Sequence, residues 1–318
     1  MFEYLPAVAL IAGYLWAVSA SGRRGRPWPL IRTLSWSAGA LLTAVNMTAV
    51  NMTAVNTSAV NTSAVNTSAV NTSAINPGGG TFTAHMTDHL LLGMLAPLLL
   101  VAGAPVTLLL RALPAPRART LSRILRSAPA RTLTHPVTAA VLNAGGLWLL
   151  YLTPLYPLTQ ATPWVHAAVH AHVLAAGYLF TAALIGTDPA PHRPSFPTRA
   201  AALAGFLGAH AVLAKWLYAH PPQGVGPADA EAAAHLMYYG GELIDLVLIV
   251  LFCRAWYAAA APDQRTRAAP DLRTRAAPDL RTRAAPDLRT RAAPDQRTRM
   301  ITPLRGSAGM RRSEMSRS

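Results

Sequence analysis

The chain has one cysteine, Cys253, in 318 residues. A single thiol excludes an intrachain disulfide and any Cys-x-x-Cys metal site. Charge is also scarce: 13% of residues are Asp, Glu, Lys or Arg, against 52% apolar, and mean hydropathy is positive. Soluble domains carry about a quarter charged residues, so an ordinary water-soluble fold is excluded. There is no glycine-rich phosphate loop, no nucleophile–base arrangement and no haem-attachment motif. Nothing therefore points to catalytic turnover, and the chain is not expected to be an enzyme.

What is present is a succession of apolar runs, each close to the roughly twenty residues that cross a bilayer core of about 30 Å. Helices are expected at 4–20, 30–50, 86–110, 136–153, 164–186, 199–218 and 235–257. The first run has Glu3 before it and Arg23 and Arg24 after it. A signal peptide carries its positive charge in front, so this run is read as a retained span. The cations alternate along the chain. Arg23, Arg24, Arg26 and Arg32 follow the first helix, and Arg111, Arg117, Arg119, Arg123, Arg126 and Arg131 follow the third. Arg193 and Arg199 follow the fifth, and the remaining arginines lie after the seventh. The segments 51–84 and 154–165 carry no Lys or Arg, and 219–234 carries only Asp229 and Glu231. By the positive-inside rule this predicts an all-α, polytopic bundle of about seven spans, N-terminus outside and C-terminus cytoplasmic. It is expected in a bacterial plasma (inner) membrane. The net charge of +15 is thereby placed in loops and tail, so the expected surroundings are lipid bilayer and no nucleic acid partner is expected.

Two arrays interrupt the plan, and the chain is expected to divide at about residue 257. Residues 1–257 form the membrane domain, with six five-residue units at 46–75 (Asn46-Met47-Thr48-Ala49-Val50 to Asn71-Thr72-Ser73-Ala74-Ile75) as an outer insertion. Residues 258–318 form a basic tail with an octapeptide repeat, Ala-Ala-Pro-Asp-Leu/Gln-Arg-Thr-Arg. A proline every eight residues and little apolar surface predict disorder for that tail.

The residues with chemistry to offer are histidines. His85 and His89, four apart, share one helical face, a spacing suited to binding one metal ion. His166 and His170 repeat the spacing, and His172 is turned about 200° from His170. His210 and His235 bring imidazole from the sixth and seventh helices. Imidazole suits copper, zinc, iron or nickel, and the neighbouring thioether of Met86 adds a preference for Cu(I). Asp88 lies where it could orient an imidazole. Glu242 and Asp245 lie within the seventh apolar run, where ionisable groups are costly and mark function. For any single histidine, a hydrogen-bonding role at the interface competes with ligation.

The run His85-Met86-Thr87-Asp88-His89-Leu90-Leu91-Leu92, followed by Ala96-Pro97-Leu98-Leu99-Leu100 and Gly103-Ala104-Pro105, resembles the CtaG-type cytochrome c oxidase assembly family. Later blocks agree: His135-Pro136, His170-Ala171-His172 with Ala176-Gly177-Tyr178-Leu179-Phe180, Gly186-Thr187-Asp188-Pro189, His210-Ala211 and Gly241-Glu242-Leu243. Asp229-Ala230 stands where the family tends to have Asp-Gln, and Ile244 stands where it often has proline. The resemblance implies a factor that matures cytochrome c oxidase in contact with its subunits, at the copper-insertion step. The ligand candidates are then His85, His89, Met86, His170, His172 and His210, with Asp88, Glu242 and Asp245 as supporting groups. Two other functions fit the same residues. One is a copper or proton-coupled transporter using Glu242 and Asp245. The other is a scaffold for oxidase subunits that binds no metal.

Overall fold

A computed structural model describes residues 5–60 and 81–260, and for side chains residues 8–46 and 81–259. The fourth to sixth units of the pentapeptide array (61–75) and the octapeptide tail lie outside these residues. Among the described residues there is helix and no strand, as the apolar runs predict. In chain order the elements are α1 (Leu5–Arg23), α2 (Leu30–Val60), α3 (Phe82–His89), a π-helical turn (Leu90–Leu95), α4 (Ala96–Ala102) and α5 (Pro105–Ala112). There follow α6 (Ala115–Leu125), α7 (Ala128–Leu133), α8 (Pro136–Leu152), α9 (Leu155–Ala161), α10 (Pro163–Ile185) and α11 (Phe196–Ala219). The last are α12 (Pro227–His235), a second π-helical turn (Leu236–Gly240) and α13 (Gly241–Ala260). α2 runs on through the first three pentapeptide units to Val60.

Four stretches among the described residues are long and apolar enough to cross a membrane: Phe82–Ala112, Pro163–Ile185, Phe196–Ala219 and Pro227–Ala259. A fifth results if α8 and α9 count as one span bent by 78° at Thr153-Pro154. α1 and α2 are not among these; α1 packs on α2 and α5, and α2 packs on α4. The 154–165 segment, expected as a loop, contains α9, which folds back so that Tyr156 and Thr159 are buried.

The Phe82–Ala112 span is broken at Gly103-Ala104, and side chains of other segments bond to its backbone there. Ala104 takes the left-handed conformation at φ 49°, which costs a non-glycine residue about 1–2 kcal/mol. Pro105 opens the new helix because it has no N–H to lose. In an apolar interior the carbonyls freed by such a break need donors. Gly103 O finds one in Tyr14 at 2.7 Å, and two carbonyls that already accept backbone N–H groups at the cap take a second donor, Leu99 O from Ser35 at 2.7 Å and Val101 O from Thr187 at 2.6 Å. The free N–H groups of Val106 and Thr107 donate to the Asp188 carboxylate at 3.2 and 2.7 Å, as does the Thr107 hydroxyl at 2.7 Å. Asp229 does the same for the start of α3, accepting from Phe82 N, Thr83 N and Thr83 Oγ1 at 2.6, 3.0 and 2.6 Å. A carboxylate suits the positive end of a helix.

Helices approach most closely where a glycine removes a Cβ. Gly177 of α10 lies directly on the carbonyl oxygen of Gly93 in the first π turn, with Pro97 beside it. Such small-residue contacts let helices pack where lipid offers no hydrophobic drive. Above this crossing, an apolar cluster contains Phe82, Met86, Leu147, Tyr151, Tyr156, Leu213 and Met237. Below it, another contains Leu98, Val101, Phe180, Leu184, Phe206, Leu248 and Phe252. A third, around Tyr14 and Leu108, joins α1 to α5. There Arg24 donates to the carbonyls of Arg111 and Leu113 at 3.0 and 2.7 Å, so the two arginine-bearing helix ends meet.

Gly177→Ala is expected to destabilise the purified protein by about 1–3 kcal/mol, the usual cost of overpacking. Gly205→Ala, where an added Cβ meets nothing within 4 Å, should be neutral or slightly stabilising. Thermal unfolding in one detergent compares the two, and equal midpoints would refute the crossing. Asp188→Ala leaves half-buried donors unpaired and is expected to cost about 1–2 kcal/mol in the same assay.

Candidate metal-handling site

The seam between the upper and lower apolar clusters is polar. His89 lies between Met86 and Leu98 in sequence, Asn143 between Ala140 and Leu147, and His210 between Phe206 and Leu213, each flanked by members of both clusters. His85, Asp88, His89, Asn143, His170 and His210 are all buried.

The spacing of four between His85 and His89 does place both on the buried face of α3, but each faces a different helix. The His85 ring lies 6.3 Å from that of His170 on α10, and the His89 ring lies 5.9 Å from that of His210 on α11. The His166 ring lies 4.3 Å from that of His170, tilted by 40°. One ion held between two imidazoles needs ring centres about 6 Å apart, the sum of two metal–nitrogen bonds of about 2 Å and two ring radii. The two cross-helix pairs have that separation; His166 and His170 are closer than it. Among the described residues no three His, Cys, Asp or Glu side chains form a group able to hold a metal. The arrangement is one of pairs. Zinc, which takes four ligands in structural sites and three beside water in catalytic ones, is poorly served by a pair.

The hydrogen bonding of these rings is incomplete. Both nitrogens of His89, Nδ1 of His170, Nε2 of His166 and Nε2 of His210 are buried with no partner, and so is Asp88 Oδ1. Each such atom costs about 1–3 kcal/mol. Among the described residues the other buried side-chain atoms without a partner are Trp36 Nε1 and Asn46 Oδ1 on α2 and Arg199 Nε near the start of α11, whereas five imidazole nitrogens gather at the seam. His85 is the exception. Its Nε2 lies 3.1 Å from the Tyr151 hydroxyl, which donates to Met86 Sδ at 3.6 Å. If that hydroxyl proton goes to sulfur, His85 donates from Nε2 and keeps Nδ1 free, the usual way in which a neighbour fixes a ligating tautomer. Phe82, Tyr151 and Tyr156 close over His85, with ring centres 6.1, 6.0 and 5.0 Å away.

Glycines and π turns shape the seam. In the first π turn, a Cβ on Gly93 would stand 3.2 Å from His89 Nδ1. After the second, a Cβ on Gly241 would stand 2.7 Å from His210 Cε1. Each irregular turn therefore seats one imidazole against bare backbone. Single π turns inside helices are frequent at functional sites.

The structure brings His85, His89, His170, His210 and Met86 together and leaves His172 apart. His172 is exposed, with Nε2 at 3.1 Å from Leu142 O and its ring over Gly146, so it bridges α10 to α8. His235 is exposed, stacked on Tyr218 with Tyr239 tilted against it. Asp88 Oδ1 orients no imidazole, being unpartnered. Glu242 is exposed on α13, and Asp245, one turn further, is buried. Sequence reasoning paired His166 with His170 but did not count it among the ligand candidates, and it missed Tyr151 and Tyr156. The i, i+4 relation of His166 to His170 was the available signal for the histidine; nothing local signals the tyrosines, which arrive through the α8–α9 bend.

No solved structure matches the chain. Uncharacterized proteins of Mycobacterium bovis and Mycobacterium tuberculosis are each 35% identical over 211 residues, which is 64% of this chain and 28% of theirs. One of Mycobacterium leprae is 32% identical over 213 residues, 64% of this chain and 29% of its own. The chain thus spans less than a third of the length of these relatives. The family model described as cytochrome c oxidase caa3 assembly factor (Caa3_CtaG) matches residues 64–259, which hold the broken span, the π turns and every histidine of the seam. The chain belongs to the cytochrome c oxidase caa3 assembly factor family.

Proposed function

We propose that this protein matures cytochrome c oxidase in the bacterial plasma membrane, assisting copper insertion through its buried histidine pairs and performing no catalytic turnover. Family membership supports the oxidase as partner. The observation that carries the metal reading is the set of five buried, unpaired imidazole nitrogens distributed over α3, α10 and α11. In an apolar interior each unpaired nitrogen carries a desolvation cost, which a bound ion would offset.

Copper here is cargo. His85 with His170, and His89 with His210, would hold it, with the Met86 thioether adjacent and the preference of such ligands for Cu(I). Two-ligand sites leave coordination positions open, so a protein partner can add its own ligand before the first is released. Tyr151 holds His85 in one orientation, and Gly93 and Gly241 hold the rings of His89 and His210 close to the backbone. A scaffold with no metal role would have no use for such pairs, and this separates the two functions.

Seven spans with the N-terminus outside remain the topology that best accounts for the arginine pattern, with α1 and α2 as the first two. Support comes from the meeting of Arg24 with the end of α5, since both helix ends then lie on one side. The seam, close to the start of α3, falls toward the opposite side.

Reporter fusions at Gly25, Arg119 and Arg193 are expected to report the cytoplasm, and fusions at Thr159 and Gly224 the outside; the opposite pattern at any pair would overturn the orientation. Deletion of the gene should leave the oxidase with haem but deficient in copper, measured by elemental analysis of the purified enzyme. His85→Ala/His89→Ala should reproduce that deficiency with the protein still present in the membrane. Normal copper in either strain rejects the delivery role.

A further inference from the structure

A groove of about 560 Å³ runs between α11 and α13, lined by His210, Tyr238, Tyr239, Glu242 and Asp245 among aliphatic side chains. His210 is only 4% exposed, yet its ring forms part of this wall. Asp245 is 5% exposed and forms the floor; on its other side a cavity of about 20 Å³, bounded by Asn143 and Thr181, has room for about one water. Sixteen residues separate Asp245 from Asp229 at the top of α12, so the floor lies about 24 Å down the helix. Glu242 stands on the exposed rim. Carboxylates at that depth are costly and call for a positive or hydrogen-bonding counterpart. Among the described residues Glu242 accepts a hydrogen bond from the Tyr238 hydroxyl, and no salt bridge to either carboxylate is found.

The two histidine pairs differ in access. His85 lies under Phe82, Tyr151 and Tyr156, with ring contacts on three sides. His210 instead adjoins the groove, and His89 lies behind it. An adjoining hollow, toward the start of α12, shares Tyr238 and Tyr239 with the groove and is lined by Lys215, Tyr218 and His235. Lys215 Nζ stands 5.2 Å over the Tyr238 ring. Positive charge at that end opposes a cation, and negative charge further in attracts one.

We propose that this groove is the port by which a soft monovalent cation reaches and leaves the His89–His210 pair. Glu242 at the rim and Asp245 at the floor hold the cation in transit. The proposal rests on the copper-handling function above and adds its route: His210 first, His89 next, and the enclosed His85–His170 pair last. No bond other than metal–ligand bonds forms or breaks, and the ion keeps its charge throughout.

The test uses the full chain in phosphatidylcholine nanodiscs and Ag(I), which shares the charge and ligand preferences of Cu(I) without its redox chemistry. Uptake from a chromophoric chelator is followed by stopped flow, and stoichiometry by equilibrium titration. Glu242→Gln and Asp245→Asn should slow uptake about tenfold or more, the scale on which a charged cleft steers an ion, while stoichiometry stays that of the wild type. Leu243→Trp, at an exposed position on the groove, should slow uptake by obstruction, and Lys215→Gln should speed it. Opposite signs for the carboxylate and lysine variants separate a port from a general loss of packing. Wild-type uptake rates in the carboxylate variants overturn the route and leave the histidine sites standing. Absence of Ag(I) binding by the wild type overturns both.

Discussion

Every polar group inside this bundle must find a partner within the protein, because the surrounding medium offers none. The break at Gly103-Ala104 shows how strictly that holds. Side chains from α1, α2 and the segment after α10 converge on three carbonyls around it, and one carboxylate takes the donors of the next helix. The start of α3 is tied by Asp229 in the same manner. Against that background the unpaired nitrogens of the histidine seam stand out. A fold that satisfies a broken backbone with this economy leaves five imidazole nitrogens open in one layer.

The layer owes its position to packing above and below. The upper cluster, rich in aromatic side chains and Met, seals it toward the start of α3; the lower cluster, built from Leu, Val and Phe, seals it on the other side. Close contact of Gly177 with Gly93 draws α10 against the first π turn, which is what carries His170 toward His85. The electrostatics of the site therefore depend on steric choices at glycines several residues away. Apolar packing sets where the nitrogens are, and the absence of water sets what leaving them unpaired costs.

Much of the fold could be read from hydropathy. Each expected helix has an observed counterpart, but α2 runs ten residues further than expected, the last helical stretch begins eight residues earlier, and α6, α7 and α9 lie in segments expected as connections. After α8, Thr153-Pro154 reads as an end, and the chain does turn by 78°, but enough apolar residues follow for a short helix that folds back. The histidines of the seam were legible because four-residue spacing fixes a shared face. What spacing cannot give is the identity of the residue across the interface, so His85 and His89 read as partners of one another and instead face α10 and α11. His172 reads as part of the same block as His170, yet the helical angle between them sends it to Leu142. Asp188 and Asp229 act over 81 and 146 residues of sequence separation, a distance at which no local pattern carries information.

Each π turn holds one residue more than the regular turn it replaces, so everything beyond it is rotated by about 100° about the helix axis. The two turns touch, with Gly240 against Leu90. On either side of them the chain presents different faces of the same helix to the interior: Met86 and His89 before one and Leu98 after it, Met237 within the other and Asp245 after it. Removing a single amino acid from Leu236–Gly240 would thus act as a twist more than a shortening, turning the acidic half of the helix away from its imidazole neighbour while leaving the length across the bilayer almost unchanged.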